Sequence, residues 1–514
     1  MSTKVQIIKR LEIIKNLIEL EDEDMIHIQI DKLKSENNDE LNEIIDILEQ
    51  DDYEKINKAV DNYVYGFKNA KLTSHQQEIF DAIVQDISDL LQSYDYSNNN
   101  DSHKHFLSLS GSAGTGKTFL TSKLVEEFLR KDYKILLTTP THKSLSVAKY
   151  MINSNNIHIK AKTLQSYLDL RLKEDYLHGT KSFKRDKTDD MHDFEKNLDI
   201  LIVDESSMVS NELLEFIKEN LEQNKLKTVL FIGDEYQLPP VDEGQNGVVS
   251  LPKKYRLTQI VRQAKDSYIK LIANEIKESI KNKNYKSLSK IFDTNKYKSL
   301  KIFNSEKEFL LDFTRKDYWY KNNSIALSYT NSQVDEQNRL LRFAYWKAHN
   351  ITATDAIINE EKLIFNESYG KLFQNSEIVK VKKSTKEFDR YKKIYYWKCM
   401  DHLGRTFKVV DPDDKIKYND YLIKVFNEAK SISFKEDEKR RKKWRHYFAS
   451  KDDYADVKYI FTSTIHKSQG STYENVYINV SSVFSLIRYG DEDMAYRLLY
   501  VAVTRASKDI ILLI

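Results

Sequence analysis

The chain has 514 residues, 40% of them hydrophobic, with 81 Lys and Arg set against 79 Asp and Glu. That length exceeds one ordinary core, so two to four domains are expected. A single cysteine, Cys399, excludes an internal disulfide and a cysteine zinc site and points to a reducing compartment. No apolar run approaches the ~18 residues of a membrane span, and MSTKVQIIKRLEIIK lacks an apolar leader; a cytoplasmic protein without a membrane partner is expected.

Residues 1–70 hold nine Lys or Arg and seventeen Asp or Glu, a net of −8, which leaves +10 on the rest. A polyanion would meet the body of the protein, not this segment. Ile7, Leu11, Ile14 and then Leu41, Ile44 and Leu48 recur at helical spacing, so 1–70 reads as short acidic helices. They read as either a stabilising cap or a docking segment for a protein partner. LTSHQQEIFDAIV (72–84) opens a helix that Thr73 or Ser74 can cap, with Ile79, Ile83 and Ile87 on its apolar side.

From residue 106 the pattern becomes strand, loop, helix. FLSLS (106–110), KILLTTP (134–140), DILIVDE (199–205) and TVLFIGDE (228–235) read as buried strands of a parallel sheet covered on both faces. The highly charged run 164–197 interrupts that series. A second α/β set opens at NNSIALSYTN (322–331). It resumes at KYIFTSTIHKSQG (458–470), ENVYINVS (474–481), a helix at 491–499 and DIILLI (509–514). Residues 350–455 separate its parts, with strand-like runs at 376–382 and 391–400 and the charged stretch FKEDEKRRKKWRHYF (434–448).

GSAGTGKT (111–118) fits G-x-x-x-x-G-K-[ST] between an apolar strand and the helix FLTSKLVEEFL. Glycines let the backbone curl so that N–H groups of Gly111, Ser112, Ala113, Gly114, Thr115 and Gly116 face phosphate oxygens at a helix N-terminus. Lys117 would reach the β- and γ-phosphates of ATP, and Thr118 would ligate Mg²⁺. LIVDESS (201–207) supplies Asp204 for the metal shell and Glu205 as general base toward the attacking water.

The remaining motifs resemble those of superfamily 1 DNA helicases, in that family's order, over about 71–514. GDEYQLPPV (233–241) resembles motif III, which implies that Gln237 couples the γ-phosphate to DNA. LTQIVRQ (257–263) resembles motif IV and LLYVAVTRA (498–506) motif VI, which imply Arg262 and Arg505 as arginine fingers. TSTIHKSQGSTYENV (462–476) resembles motif V, placing Gly470 by the nucleotide. LTSHQ (72–76) resembles the adenine-reading Q motif, with Gln76 as reader.

Within the superfamily the chain is similar to the Dda/RecD-like subfamily. It has only a short insertion before DESS, SYTNSQVDEQNRLLR (328–342) at the opening of the second lobe, and that subfamily's spacing of its last motifs. The resemblance implies two tandem RecA-like lobes, 71–256 and 257–514. It also implies a pin hairpin within 164–197 and an SH3-like module within 350–455. Where relatives carry F-x-N-G this chain has FQNSE (373–377), which departs from the module's pattern.

It implies a monomeric, ATP-dependent 5′→3′ helicase on single-stranded DNA and on junctions with duplex. On that reading residues 1–70 are either a stabilising cap or a docking segment for a replication or repair protein. The alternatives to that activity are a translocase that strips bound proteins while unwinding little, or an ATP-switched nucleic-acid binding module. TTPTHKSLSVAK (138–149) and KTLQSY (162–167) resemble motifs Ia and Ib. By that resemblance Thr141, His142 and Thr163 would meet DNA phosphates in the first lobe, and Thr464 and His466 in the second. The candidate pin, LDLRLKEDYLHGTKSFKR (168–185), puts Leu170, Leu172 and Tyr176 on one arm, Phe183 on the other and His178-Gly179 in a tight turn. Tyr176 or Phe183 would stack on the last base pair.

Overall fold

The computed structural model describes residues 71–514 apart from 95–101, 142–143, 146–147, 150–158, 186–196, 241–246, 252, 260–267, 315–323, 349–356, 371 and 376. The acidic segment 1–70, His142 and Arg262 lie outside the described residues.

Helix α1 (Ser74–Gln92) starts where a capping box forms: the Thr73 side chain accepts from Gln76 N, and the Gln76 side chain accepts from Thr73 N. Eight strands follow in the first half. They are β1 (Phe106–Gly111), β2 (Ile135–Thr139), β3 (Ala161–Thr163), β4 (Leu170–Asp175), β5 (Thr180–Arg185), β6 (Leu198–Val203), β7 (Leu226–Gly233) and β8 (Lys253–Leu257). Six of them form one parallel sheet in the order β3-β2-β6-β7-β1-β8. Both faces are covered, so its central strands are buried almost end to end, as in ILLTT of β2. One core cluster joins the sheet to α1 and α2 (Lys117–Arg130) through Ile83, Leu120 and Phe128. The other joins it to α3 (Asn211–Glu222) through Leu213, Ile217 and Leu221.

The second half is built the same way. Helix α4 (Tyr268–Asn282) leads to β9 (Lys301–Phe303), α5 (Glu306–Thr314), β10 (Ser324–Ser328) and α6 (Asn331–Ala348). After an insertion come β16 (Thr462–Thr464), β17 (Tyr473–Asn479), α9 (Glu492–Thr504) and β18 (Ala506–Leu513). The strand order is β16-β10-β17-β18-β9, again parallel throughout. Helix α9 is buried continuously from Leu498 to Val503. Leu238, from the first half, packs into this second core, so the two units share a hydrophobic seam. The architecture is two RecA-like α/β lobes.

The insertion in the second lobe holds β11 (Lys362–Phe365), β12 (Ile378–Asp389), β13 (Ile394–Asp401), β14 (Thr406–Val410) and β15 (Val457–Tyr459). They form an antiparallel sheet ordered β14-β13-β12-β11-β15, bent by a register shift between Val381 and Lys383. Phe365, Phe373 and Phe407 fill its core. Between β14 and β15 stands a helical hairpin, α7 (Lys415–Ser431) and α8 (Asp437–Asp452). Arg342 of α6 anchors the insertion: its guanidinium meets Glu361 at 2.6 and 3.0 Å and lies 4.2 Å from the ring centroids of both Trp346 and Tyr459.

Strands β4 and β5 stand apart as a two-stranded hairpin. Its turn spans Tyr176–Gly179, so Tyr176 lies in the turn and not on an arm as the sequence suggested. The cause is Asp175, whose carboxylate accepts from the N–H groups of Leu177 and His178 at 2.9 and 3.1 Å and starts the turn early. Gly179 is left-handed at φ 72°, and a Cβ there would run into the Trp444 indole. The tip rests on α8: Arg440 Nε donates to Leu177 O at 2.6 Å, the Tyr176 ring lies 6.1 Å from Phe448, and the Arg445 guanidinium lies 5.2 Å from the Tyr176 ring. The ring of Tyr176 is therefore already packed and is not a free stacking face. The Phe183 side chain lies outside the described residues. Among the described residues no helix is long and apolar enough to cross a membrane.

Candidate active site

The phosphate loop runs from the end of β1 to the start of α2. Gly114 and Gly116 take φ of 85° and 84°, which side chains with a Cβ rarely adopt. Gly111 is a glycine for space, since its Cβ would sit 2.6 Å from Thr115 Oγ1. Thr115 closes the loop by donating its hydroxyl to Ser112 O at 2.8 Å. Gly116 caps α2 without a side-chain hydrogen bond, and Ala113 and Thr118 are exposed beside it. A helix N-terminus in this condition suits an anion. Lys117 Nζ rests on the carbonyls of Gly111 and Ser112, the second at 3.3 Å.

Gln76 is buried, and its amide is engaged at both ends: Oε1 accepts from Thr73 N at 3.1 Å, and Nε2 donates to Thr115 O at 3.2 Å. The expected adenine reader is here a strut beneath the phosphate loop, because the capping box and the loop carbonyl claim the same side chain.

Asp204 and Glu205 stand at the C-terminal end of β6, two strands from the loop. Glu205 is held at φ 54°, a strained setting for a residue other than glycine, and its N–H donates to Asp204 Oδ1 at 2.9 Å. Burial, and next the Glu205 charge, push the Asp204 carboxyl up to about 7, against the pull of Lys117. The Asp204 carboxyl, short of positive charge, and the Thr118 hydroxyl are oxygen donors that fit a hard divalent cation such as Mg²⁺.

Gly233 ends β7 as a glycine because Ser206 Oγ would lie 2.5 Å from its Cβ. The turn that follows carries Gln237, buried, with its Oε1 lacking a hydrogen-bond partner. From the second lobe, Gly470 faces this place: its Cβ would lie 3.9 Å from Glu205 Oε1 and 3.6 Å from Ser144 Cβ. Arg505 is buried, donating to Val501 O, Ser471 O and Thr504 Oγ1, each at 3.1 Å. Burial lowers its pKa, and the nearby charges of Glu205 and Asp234 oppose that. Lys117, Glu205, Gln237, Gly470 and Arg505 therefore gather at one inter-lobe cleft.

The expected DNA contacts fall at the C-terminal ends of parallel strands. Thr141 follows β2, Thr163 ends β3 and Thr464 ends β16. Each hydroxyl accepts a backbone N–H three residues on, from Ser144, Ser166 and Lys467 at 3.1, 3.2 and 3.3 Å. His466 lies 6.1 Å from the Tyr329 ring, and burial lowers its pKa, favouring the neutral ring. Sequence reasoning missed Asp234, Arg497 and Tyr500. Arg497 and Tyr500 show only as helical spacing before Arg505, and Asp234 only as a neighbour of Gln237 in GDEYQLPPV, since the partners lie far apart in the chain.

Residues 97–291 match the AAA domain family, and residues 459–513 match the UvrD-like helicase C-terminal domain family. An uncharacterized protein of Acanthamoeba polyphaga mimivirus is 25% identical over 489 residues, covering 80% of this chain and 95% of its own. The ATP-dependent DNA helicase dda of Enterobacteria phage T4 is 23% identical over 446 residues, covering 79% and 94%. The ATP-dependent DNA helicase Pif1 of Campylobacter jejuni is 31% identical over 134 residues, 26% and 28% of the two chains. The two domain families fall in order on the two lobes, and together with these relatives they support a superfamily 1 helicase of the Dda/Pif1-like group.

Proposed function

We propose that this chain is an ATP-dependent DNA helicase that steps 5′ to 3′ along single-stranded DNA and separates duplex at the fork. The observation that carries the reading is the meeting of Glu205 on the first lobe with Gly470 and Arg505 on the second. A cleft whose chemistry needs both lobes closes when ATP binds and is released when ATP is spent. In it the loop N–H groups and Lys117 hold the phosphates, and Glu205 takes the proton of the attacking water. Gln237, with its idle acceptor, orients that water or the γ-phosphate. Arg505 neutralises charge that develops on the transferred group, an effect typically worth ~10³–10⁵ in rate for a well-placed arginine. Arg262 is the second such candidate. Thr118 and Asp204 would hold Mg²⁺, which when bound shields the phosphate charges.

Thr141, His142, Thr163, Thr464 and His466 would track DNA phosphates without reading sequence, one group on each lobe. Closing and opening the cleft then changes the spacing between the two groups, which is a step. The β4–β5 hairpin, braced by α8, is the proposed wedge. The insertion that braces it has the strand order of an SH3-like half-barrel, with α7 and α8 as its extension.

Paired duplexes with single-stranded 5′ or 3′ tails test the reading in a strand-displacement assay. The 5′-tailed duplex should be unwound in the presence of ATP and the 3′-tailed one should not. Equal or preferential unwinding from the 3′ tail would overturn the direction, and no unwinding of either would overturn the function.

A further inference from the structure

Helix α9 carries Arg505 at its C-terminal end, yet an earlier turn of the same helix reaches the first lobe directly. Tyr500 is 1% exposed, and its hydroxyl donates to Asp234 Oδ2 at 2.8 Å. Burial, and next the Asp234 charge, hold the pKa of this hydroxyl well above its ordinary value, and Ala113 and Ser112 of the phosphate loop lie close enough to oppose that. Asp234, 2% exposed, shapes the turn after β7 by accepting from Tyr236 N at 3.1 Å. The Tyr236 ring meets Tyr500 edge-on, with centroids 6.3 Å apart. Three residues before Tyr500, and so on the same side of the helix, Arg497 donates to the carbonyls of Glu235 and Gln237 at 2.6 and 3.1 Å.

A buried hydroxyl is costly unless its bonds are made. Here the bond is made to Asp234, in the turn that presents Gln237. It lies beside Ser112 and Ala113, loop residues whose N–H and hydroxyl groups an entering phosphate claims. When the loop adjusts to hold phosphate, the Tyr500–Asp234 contact feels it, and the balance of forces on α9 changes.

We propose that Tyr500 is a positioning residue whose hydrogen bond to Asp234, made across the lobes beside the phosphate loop, passes the arrival of nucleotide in the first lobe to helix α9, and through it to Arg505 and the second lobe. The proposal rests on the motor reading above. It makes Tyr500 a determinant of coupling and not of either binding event alone.

The test is Tyr500→Phe, which keeps the ring, with Asp234→Asn as a second variant and the two combined as a third. Single-stranded DNA affinity is measured with and without a non-hydrolysable ATP analogue, and kcat and KM for ATP are measured in saturating DNA. Linkage makes the factor by which nucleotide changes DNA affinity equal to the factor by which DNA changes nucleotide affinity. That factor should fall about tenfold in Tyr500→Phe. Affinity for DNA alone should shift by less than about twofold, and kcat in DNA should drop more than KM rises. Asp234→Asn should lose the same factor, and the combined variant should lose no more than either, since both remove one bond. If Tyr500→Phe fails to fold, as a thermal melt would reveal, Asp234→Asn alone decides. A parental coupling factor in the folded variants overturns the proposal, as does a loss of DNA affinity without nucleotide, the mark of a structural role. A parent chain with no coupling factor at all would sink the proposed function, and this inference with it.

Discussion

Two of the places where the lobes touch are built from different materials. At the cleft, α9 meets the turn after β7 through short polar bonds, Tyr500 to Asp234 and Arg497 to two carbonyls. At the hairpin, the contact is mostly aromatic, with Tyr176 on Phe448, Arg445 over Tyr176, and Trp444 filling the space beside Gly179. Polar bonds made beside a phosphate loop respond when that loop takes up a phosphate, so the first contact is able to switch. Nothing in ATP competes for an indole against a glycine, so the second contact persists through the cycle. The difference separates a joint that senses nucleotide from a brace that keeps the proposed wedge in place.

The comparison breaks most severely at the cleft. Glu205→Gln keeps the shape of the side chain and removes the base. ATP turnover in saturating single-stranded DNA should fall by about 10²–10⁴-fold while nucleotide binding persists. Turnover at the parental rate would show that another group takes the proton. The hairpin contact, being far from this chemistry, should be unaffected, which retained hairpin protection in hydrogen exchange would confirm.

A smaller and complementary effect is expected at the brace. Gly179→Ala places a Cβ against Trp444 and strains a left-handed residue by roughly 1–2 kcal/mol. The tip should leave α8, and duplex unwinding should fall about tenfold, equivalent to ~1.4 kcal/mol of lost stabilisation at the fork. DNA-stimulated ATP turnover should stay within about twofold of the parent, because single mutations distant from a site act nearly independently of it. Parallel loss of turnover and unwinding would mean that the hairpin belongs to the motor and not to a separate wedge.

Legibility in the sequence followed how locally each feature is encoded. The phosphate loop and the Asp204–Glu205 strand end are contiguous because one turn of backbone must hold one phosphate or one cation. The hairpin was readable from Gly179 between two charged arms, but its partner was not. Helix α8 buries Arg440, Trp444 and Phe448 at four-residue spacing within a stretch that otherwise reads as solvated charge. Tyr500 was invisible because its partner, Asp234, lies 266 residues away. Gln76 is the opposite case: Thr73 three residues before a Gln is itself a capping signal, and the motif resemblance drew attention to a ligand instead. The threonines at the strand ends carry both meanings, since a hydroxyl that caps a helix stands where a phosphate would approach it.

The central claim is that DNA held across both lobes favours the closed cleft in which Arg505 faces the nucleotide. It is tested most directly by steady-state ATP hydrolysis measured while single-stranded DNA is titrated in. Hydrolysis should be slow without DNA and rise at least about tenfold to a plateau. The DNA midpoint should weaken with salt, log K falling by ~0.7 per phosphate neutralised. A rate that is the same with and without DNA would contradict the account.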